Sequence, residues 1–241
     1  MNNKITNKLF QIFITLAISA YLIRLYITGA NAYYINPGYF KFNLIMAVIL
    51  LIIVIATFRW KLGKIRILSS LPIIFLFLMT LLPPQALQAS GASNRDGGGT
   101  TGGSDEANVS PLLSRDTTTL RVIDWVKLKN YQTDLDSIKG QLVDVIGFVY
   151  YSPDNSDIYA KDNLLIGRYV ITCCAVDANT YGLEVAKISA DGTDLSKKVS
   201  SNDWVRIKGS WEIVTRDNTK FAIIKATEVT KVDKPQFPYE Q

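Results

Sequence analysis

The sequence predicts N-terminal transmembrane helices followed by a C-terminal all-β domain, and three observations predict it. The stretches apolar enough for a bilayer all lie within the first 85 residues. Residues 1–90 carry eight Lys/Arg and no Asp or Glu, whereas residues 91–241 carry 18 basic and 21 acidic side chains. Beyond residue 115, β-branched and aromatic runs alternate with clusters of turn formers. The expected division is a membrane domain at 1–89 with two to three transmembrane helices, a flexible linker at 90–114 and a β-domain at 115–241.

The first apolar stretch runs from Leu9 to Ile27, with Arg24 placed late enough to snorkel to the interface. The second, Leu44 to Phe58, contains no charge and is flanked by Lys41 and Arg59. The third, Ile67 to Leu82, carries Pro72 near its start, where a helix tolerates it. A spanning helix needs about 20 apolar residues. The first two stretches meet this with their flanks, the third only with its ends.

Orientation follows from the loops. The segment RWKLGKIR between the second and third stretches holds four cations, while the segment Thr28 to Phe42 has only Lys41. Short loops rich in Lys/Arg stay cytoplasmic. The N-terminus is therefore expected inside and the β-domain outside, in a multi-pass protein of the cell membrane. Tyr21, Tyr26, Tyr33, Tyr34 and Tyr39 would belt the outer interface. The alternative is a re-entrant third segment, which would keep the β-domain in the cytoplasm.

Residues Ser90 to Ser110, SGASNRDGGGTTGGSDEANVS, offer no apolar face and read as a flexible tether. A short helix is expected from Asp124 to Tyr131, with Thr133 to Gly140 as a further turn or loop. Five strand-like runs follow: Gln141 to Tyr150, Arg168 to Cys174, Tyr181 to Ile188, Asp203 to Val214 and Phe221 to Val229. The clusters SPDNSD, DGTD and RDNTK separate some of them. Glycine stands mid-strand in VIGFVY and WVRIKGSWEIV, where it marks a bulge or a barrel corner. A five-stranded OB-like barrel is the expected architecture, with a β-sandwich as the alternative.

Composition excludes several chemistries. The basic residues of the apolar third account for the basic pI, so the β-domain has no basic footprint for nucleic acid. The chain has no histidine, which rules out Ser-His-Asp and Cys-His catalytic groups and any imidazole-dependent zinc site. No phosphate-binding loop or dinucleotide fingerprint is present. Asp134, Asp136 and Asp191 fall in loop-like segments as dispersed solvated acids. Trp125, Trp204 and Trp211 read as core or rim aromatics. The chain is expected to be no enzyme and to require no resident cofactor.

One motif carries chemistry: Cys173-Cys174 in RYVITCCAVDA. Adjacent cysteines admit three readings: small apolar residues packed in a strand, a vicinal disulfide or redox pair, or thiolates for a soft metal or metalloid with Asp177 as an oxygen ligand. In a regular strand successive side chains face opposite ways. Joint chelation therefore needs a strand end, and the turn formers of AVDANTYG make one plausible. Two sulfurs cannot close a four-ligand zinc site unaided.

The helices, the linker, Gly147-Phe148-Val149-Tyr150 and above all Cys173-Cys174-Ala175-Val176-Asp177-Ala178 resemble a bacterial family of permease subunits, the YcgQ type with the DUF1980 domain. The resemblance covers most of the chain outside the linker, and its CCAxDA pattern is specific. It implies a polytopic permease as partner, of a type that includes organoarsenical exporters, and strengthens soft-ligand capture by Cys173 and Cys174. The small residues Ala17, Ser19 and Ala20, with Arg24, would then offer a helix face to that partner. A protein-interaction module or a thiol-redox protein anchored in the membrane is the alternative function.

Overall fold

The computed structural model describes residues 3–59, 85–88, 91–92, 112, 114–131, 134–151 and 163–240. The third apolar segment, the basic loop before it, nearly all of the expected linker and the SPDNSD turn lie outside these residues. Contacts divide the chain into two units, Met1–Ala86 and Leu87–Gln241.

In the first unit, helix α1 spans Asn3–Thr28 and helix α2 spans Phe40–Arg59, joined by 3₁₀ turns at Ala30–Tyr33 and Pro37–Tyr39. Small side chains let the two helices approach closely: Ser19 and Ala47 are fully buried, and Ser19 Oγ donates to Ala47 O at 3.0 Å. Asn43 Nδ2 donates to Asn31 Oδ1 at 2.6 Å near the connecting turn. Ser19 therefore serves the internal helix pair, which corrects its expected use as a partner-facing residue; Ala20 and Arg24 remain exposed. By length and composition, the stretch Pro37–Ala56 is apolar enough to cross a membrane. Only 11% of it is buried within the protein. Ile45, Val48, Ile49, Ile52 and Ile53 stand exposed, so the apolar side chains of this helix are not packed into a core. The apolar part of α1, Ile12–Thr28, is shorter.

In the second unit, helix α3 (Val122–Tyr131) precedes β1 (Leu142–Tyr150), β2 (Leu164–Val170), β3 (Asn179–Val185), β4 (Trp204–Arg216), β5 (Thr219–Lys231) and a two-residue β6 (Tyr239–Glu240). The strands pair in the order β1-β4-β5-β3-β2, and β1 also pairs with β2, which closes the barrel. All pairings around the ring are antiparallel except β3 with β5, a parallel contact at Val185 and Ile224. This mixed five-stranded closed barrel is the OB-like arrangement, and the sandwich alternative is set aside because one sheet closes on itself. β6, absent from the sequence reading, adds in parallel to β2 at Tyr169 and Val170.

Alternation builds the core. Val143, Val145 and Val149 of β1 point inward with Leu164, Ile166, Val205, Ile207 and Ile224. Helix α3 contributes Trp125, whose ring lies 5.3 Å from that of Trp211. Glycine is required at two of the predicted positions. A Cβ on Gly209 would stand 2.2 Å from Lys225 O, where β4 and β5 shift register between Lys208 and Gly209. A Cβ on Gly147 would stand 2.6 Å from Gly167 O, at the place where β1 passes from β4 to β2.

One strand limit differs from expectation in a way that matters. The expected strand from Arg168 to Cys174 is instead Leu164–Val170. The Thr172–Ala178 segment leaves the ladder because an aspartate four residues beyond Cys173 captures its backbone.

Candidate functional site

Cys173 and Cys174 sit in the turn between β2 and β3, at the strand end that joint chelation requires. Ala175–Asp177 forms a single 3₁₀ turn, with Cys174 extended at its N-cap (φ −155°, ψ 169°). Asp177 reaches back over the turn. Its Oδ2 accepts from Cys173 N at 2.7 Å and Cys174 N at 3.4 Å, and its Oδ1 accepts from Thr172 N at 3.1 Å. An acid at the third position of a turn that bonds back to the N-cap amide is the logic of a capping box. Three converging N–H groups form a small anion nest.

This fold of the backbone sets the sulfurs side by side. Cys173 Sγ lies 3.6 Å from Cys174 Sγ, both as free thiols. Cys173 is exposed and Cys174 partly so, which corrects the reading of both as packed apolar residues. A tetrahedral ion with metal–sulfur bonds near 2.3 Å needs its two sulfurs about 3.8 Å apart. The observed spacing is already close to that. One donor atom from each of Cys173, Cys174 and Asp177 lies within 4.8 Å of the others. The group can hold a metal ion.

The electrostatics of the turn are coupled. The Cys173 thiol is pushed up to about 12, first by its hydrogen bond to the Asp177 carboxylate and then by that to Cys174. Burial pushes the Asp177 carboxyl up, but hydrogen bonds from the Cys173 thiol and from the Cys173, Thr172 and Cys174 amides outweigh it and hold it below the usual range. At neutral pH the turn thus rests with a protonated Cys173 beside an ionised Asp177. An incoming cation replaces that proton, and the carboxylate stays beside the sulfurs to share the positive charge.

The other residues singled out from sequence take structural roles. Asp134 caps the 3₁₀ turn Leu135–Ile138 through Asp136 N at 2.9 Å, and Asp136 pairs with Lys220. Asp191 accepts from the Ser189 hydroxyl and from Thr193 N, and these bonds pull its carboxyl down to about 2. Trp125 and Trp211 are core residues, while Trp204 lies against the Arg168 guanidinium at 5.0 Å. Sequence reasoning named Asp177 only as an oxygen ligand. Its grip on three backbone amides was foreshadowed only by its place three residues after Cys174. Val176, 86% exposed at the tip of the turn, was not singled out.

Comparison with known proteins bears out the family resemblance. No curated protein and no solved structure matches the chain. A family model, the DUF1980 C-terminal domain, matches residues 112–240, more than half of the chain and the whole of the barrel with α3. The chain belongs to the DUF1980 C-terminal domain family.

Proposed function

We propose that this protein is an accessory membrane subunit of a permease, whose barrel lies outside the cytoplasm and captures a soft metal or metalloid ion through Cys173 and Cys174. The observation that carries the reading is the sulfur pair itself, 3.6 Å apart on an exposed turn beside an ionised carboxylate. Two thiolates and one carboxylate suit a soft ion better than a hard one. The set is incomplete for a closed site, so the ion is held for delivery, with remaining positions filled by its own ligands or by the partner. Binding, not catalysis, is the role. The redox alternative is weaker, because a Cys173 thiol raised to about 12 offers little thiolate for exchange at neutral pH.

The membrane arrangement rests on composition. Pro37–Ala56 has the length and composition of one span. The apolar stretch of α1 makes a second and the apolar sequence Ile67 to Leu82 a third in the proposed arrangement, with the basic RWKLGKIR sequence on the cytoplasmic side. A polytopic permease is the partner that the family resemblance supplies, with the bilayer as the common solvent.

Cadmium is the test ion, because sulfur-to-cadmium charge transfer reports thiolate coordination in the ultraviolet. Full-length protein in non-ionic detergent should take up one equivalent, with the band lost in both Cys173→Ser and Cys174→Ser. Affinity should rise by about tenfold per pH unit for each proton displaced. Binding by both serine variants equal to that of the parent would end the capture reading.

A further inference from the structure

A cleft of about 570 Å³ opens on the barrel between β1, β4, the Thr117–Thr119 turn and the C-terminal tail. Small-molecule sites run from roughly 300 to 1,000 Å³. Three guanidinium groups line it, Arg121, Arg168 and Arg206, drawn from separate elements. Cys173, Cys174 and Asp177 do not, so the cleft is independent of the thiol turn.

Two of the arginines are closely paired: Arg206 with Asp144 at 2.6 Å and Arg121 with Asp124 at 3.0 Å. The third differs. Arg168 Nε stands 3.5 Å from Glu240, whose carboxylate already accepts from Ile123 N at 2.8 Å and Val122 N at 3.3 Å. Glu240 is thus committed to the N-terminus of α3. The Arg168 side chain is only 10% exposed, yet its five N–H donors make one hydrogen bond among the described residues, Nη2 to Phe237 O at 3.1 Å. Its buried Nε makes none. Burial lowers the Arg168 pKa; Glu240 opposes this, and the like charge of Arg121 adds to it. A buried guanidinium with spare donors, beside a second cation, is an arrangement that an anion would relieve.

The rest of the wall is mixed: the arginine-paired carboxylates of Asp144 and Glu240 and the threonines Thr118 and Thr119 stand among apolar side chains. Ile146 and Phe237 line the cleft while standing 37% and 47% exposed, and Val145 and Tyr239 lie beside them. An inorganic anion alone would leave that surface wet.

We propose that this cleft is a second binding site, one that takes a small organic anion, its carboxylate or phosphate head on the spare donors of Arg168, with Arg121 and Arg206 adding positive charge beside it, and its apolar body over Ile146 and Phe237. The planar Arg168 fork matches either head group bidentately.

Calorimetric titration of full-length protein in zwitterionic nanodiscs with 2-naphthoate tests it, with naphthyl phosphate as a parallel arm. Saturable one-to-one binding of either anion is expected, with Trp204 fluorescence responding because its ring lies against Arg168. The uncharged amide, 2-naphthamide, should bind about tenfold more weakly or not at all. The variant Arg121→Gln/Arg206→Gln, whose side chains are 50% and 48% exposed, should fold as the parent and lose about tenfold in affinity. Arg168→Lys, which keeps the charge and loses the fork, should lose at least as much; if it does not fold, the double variant decides. No saturable binding of either anion, equal binding of acid and amide, or a double variant that binds as the parent does would overturn the proposal.

Discussion

Asp177 governs the candidate site without being its first ligand. Its carboxylate accepts three amides and stands beside the Cys173 thiol, and so fixes the path of the turn and raises the Cys173 pKa. Asparagine in its place would keep one acceptor oxygen and lose the charge. In a Cys174→Ser background, Asp177→Asn should bring Cys173 titration further down toward the ordinary thiol range, about 8.5. The pH profile of iodoacetamide alkylation reads this directly, and an unshifted profile would detach the thiol from the carboxylate. The stability linkage of Asp177 has the opposite sense. Its folded pKa is depressed, so its contribution is present above the unfolded value and fades as pH falls through the folded one. Acidification should therefore loosen the turn, and the higher proton concentration opposes release of the thiol protons that metal binding displaces, weakening metal uptake on both grounds. At this scale the sequence was informative. Adjacent cysteines followed by Asp177 named the three residues that come together, because the constellation is local. What it did not disclose was the side-by-side placement of the sulfurs, which depends on the strand ending at Val170 and not at Cys174.

Helix α3 and the C-terminal tail hold the barrel in a way the strand pattern alone does not convey. Trp125 sits fully buried against Trp211, so Trp125→Ala should cost about 3–5 kcal/mol in a denaturant melt. A loss under 1 kcal/mol would mean the helix is peripheral. Glu240 joins two elements distant in sequence, capping α3 through Val122 and Ile123 while facing Arg168. Its removal in Glu240→Ala leaves a buried guanidinium without its acid, at a cost of about 3 kcal/mol by the same melt. Burial raises the Glu240 pKa in the folded state, despite Arg168 and the amides of Ile123 and Val122. The favourable side of that shift lies below the unfolded carboxylate pKa and is lost as pH rises through the folded one. Strand existence was legible because inward valines and isoleucines alternate with polar residues, and the two mid-strand glycines named real constrictions. The tail was not legible, since Tyr239 and Glu240 gain their strand character only by adding to β2. The arginine cleft was equally hidden: Arg121, Arg168 and Arg206 meet only after the barrel closes.

At the scale of the whole molecule, two kinds of surface share one chain. One helix exposes isoleucines along its length and suits lipid; the barrel turns its apolar residues inward and leaves a thiol turn at its rim. Charge partition between residues 1–90 and 91–241 announced this division from composition alone, because a bilayer excludes carboxylates as firmly as a core does. The account places the thiol turn outside the cytoplasm, ready to receive a soft ion. The direct test is labelling of Cys173 and Cys174 with a membrane-impermeant maleimide in intact cells, with reagent access through any outer layer verified, with and without cadmium. The account predicts labelling without prior reduction or permeabilisation, and its suppression by cadmium. Labelling only after permeabilisation, or labelling that cadmium leaves unchanged, would contradict it.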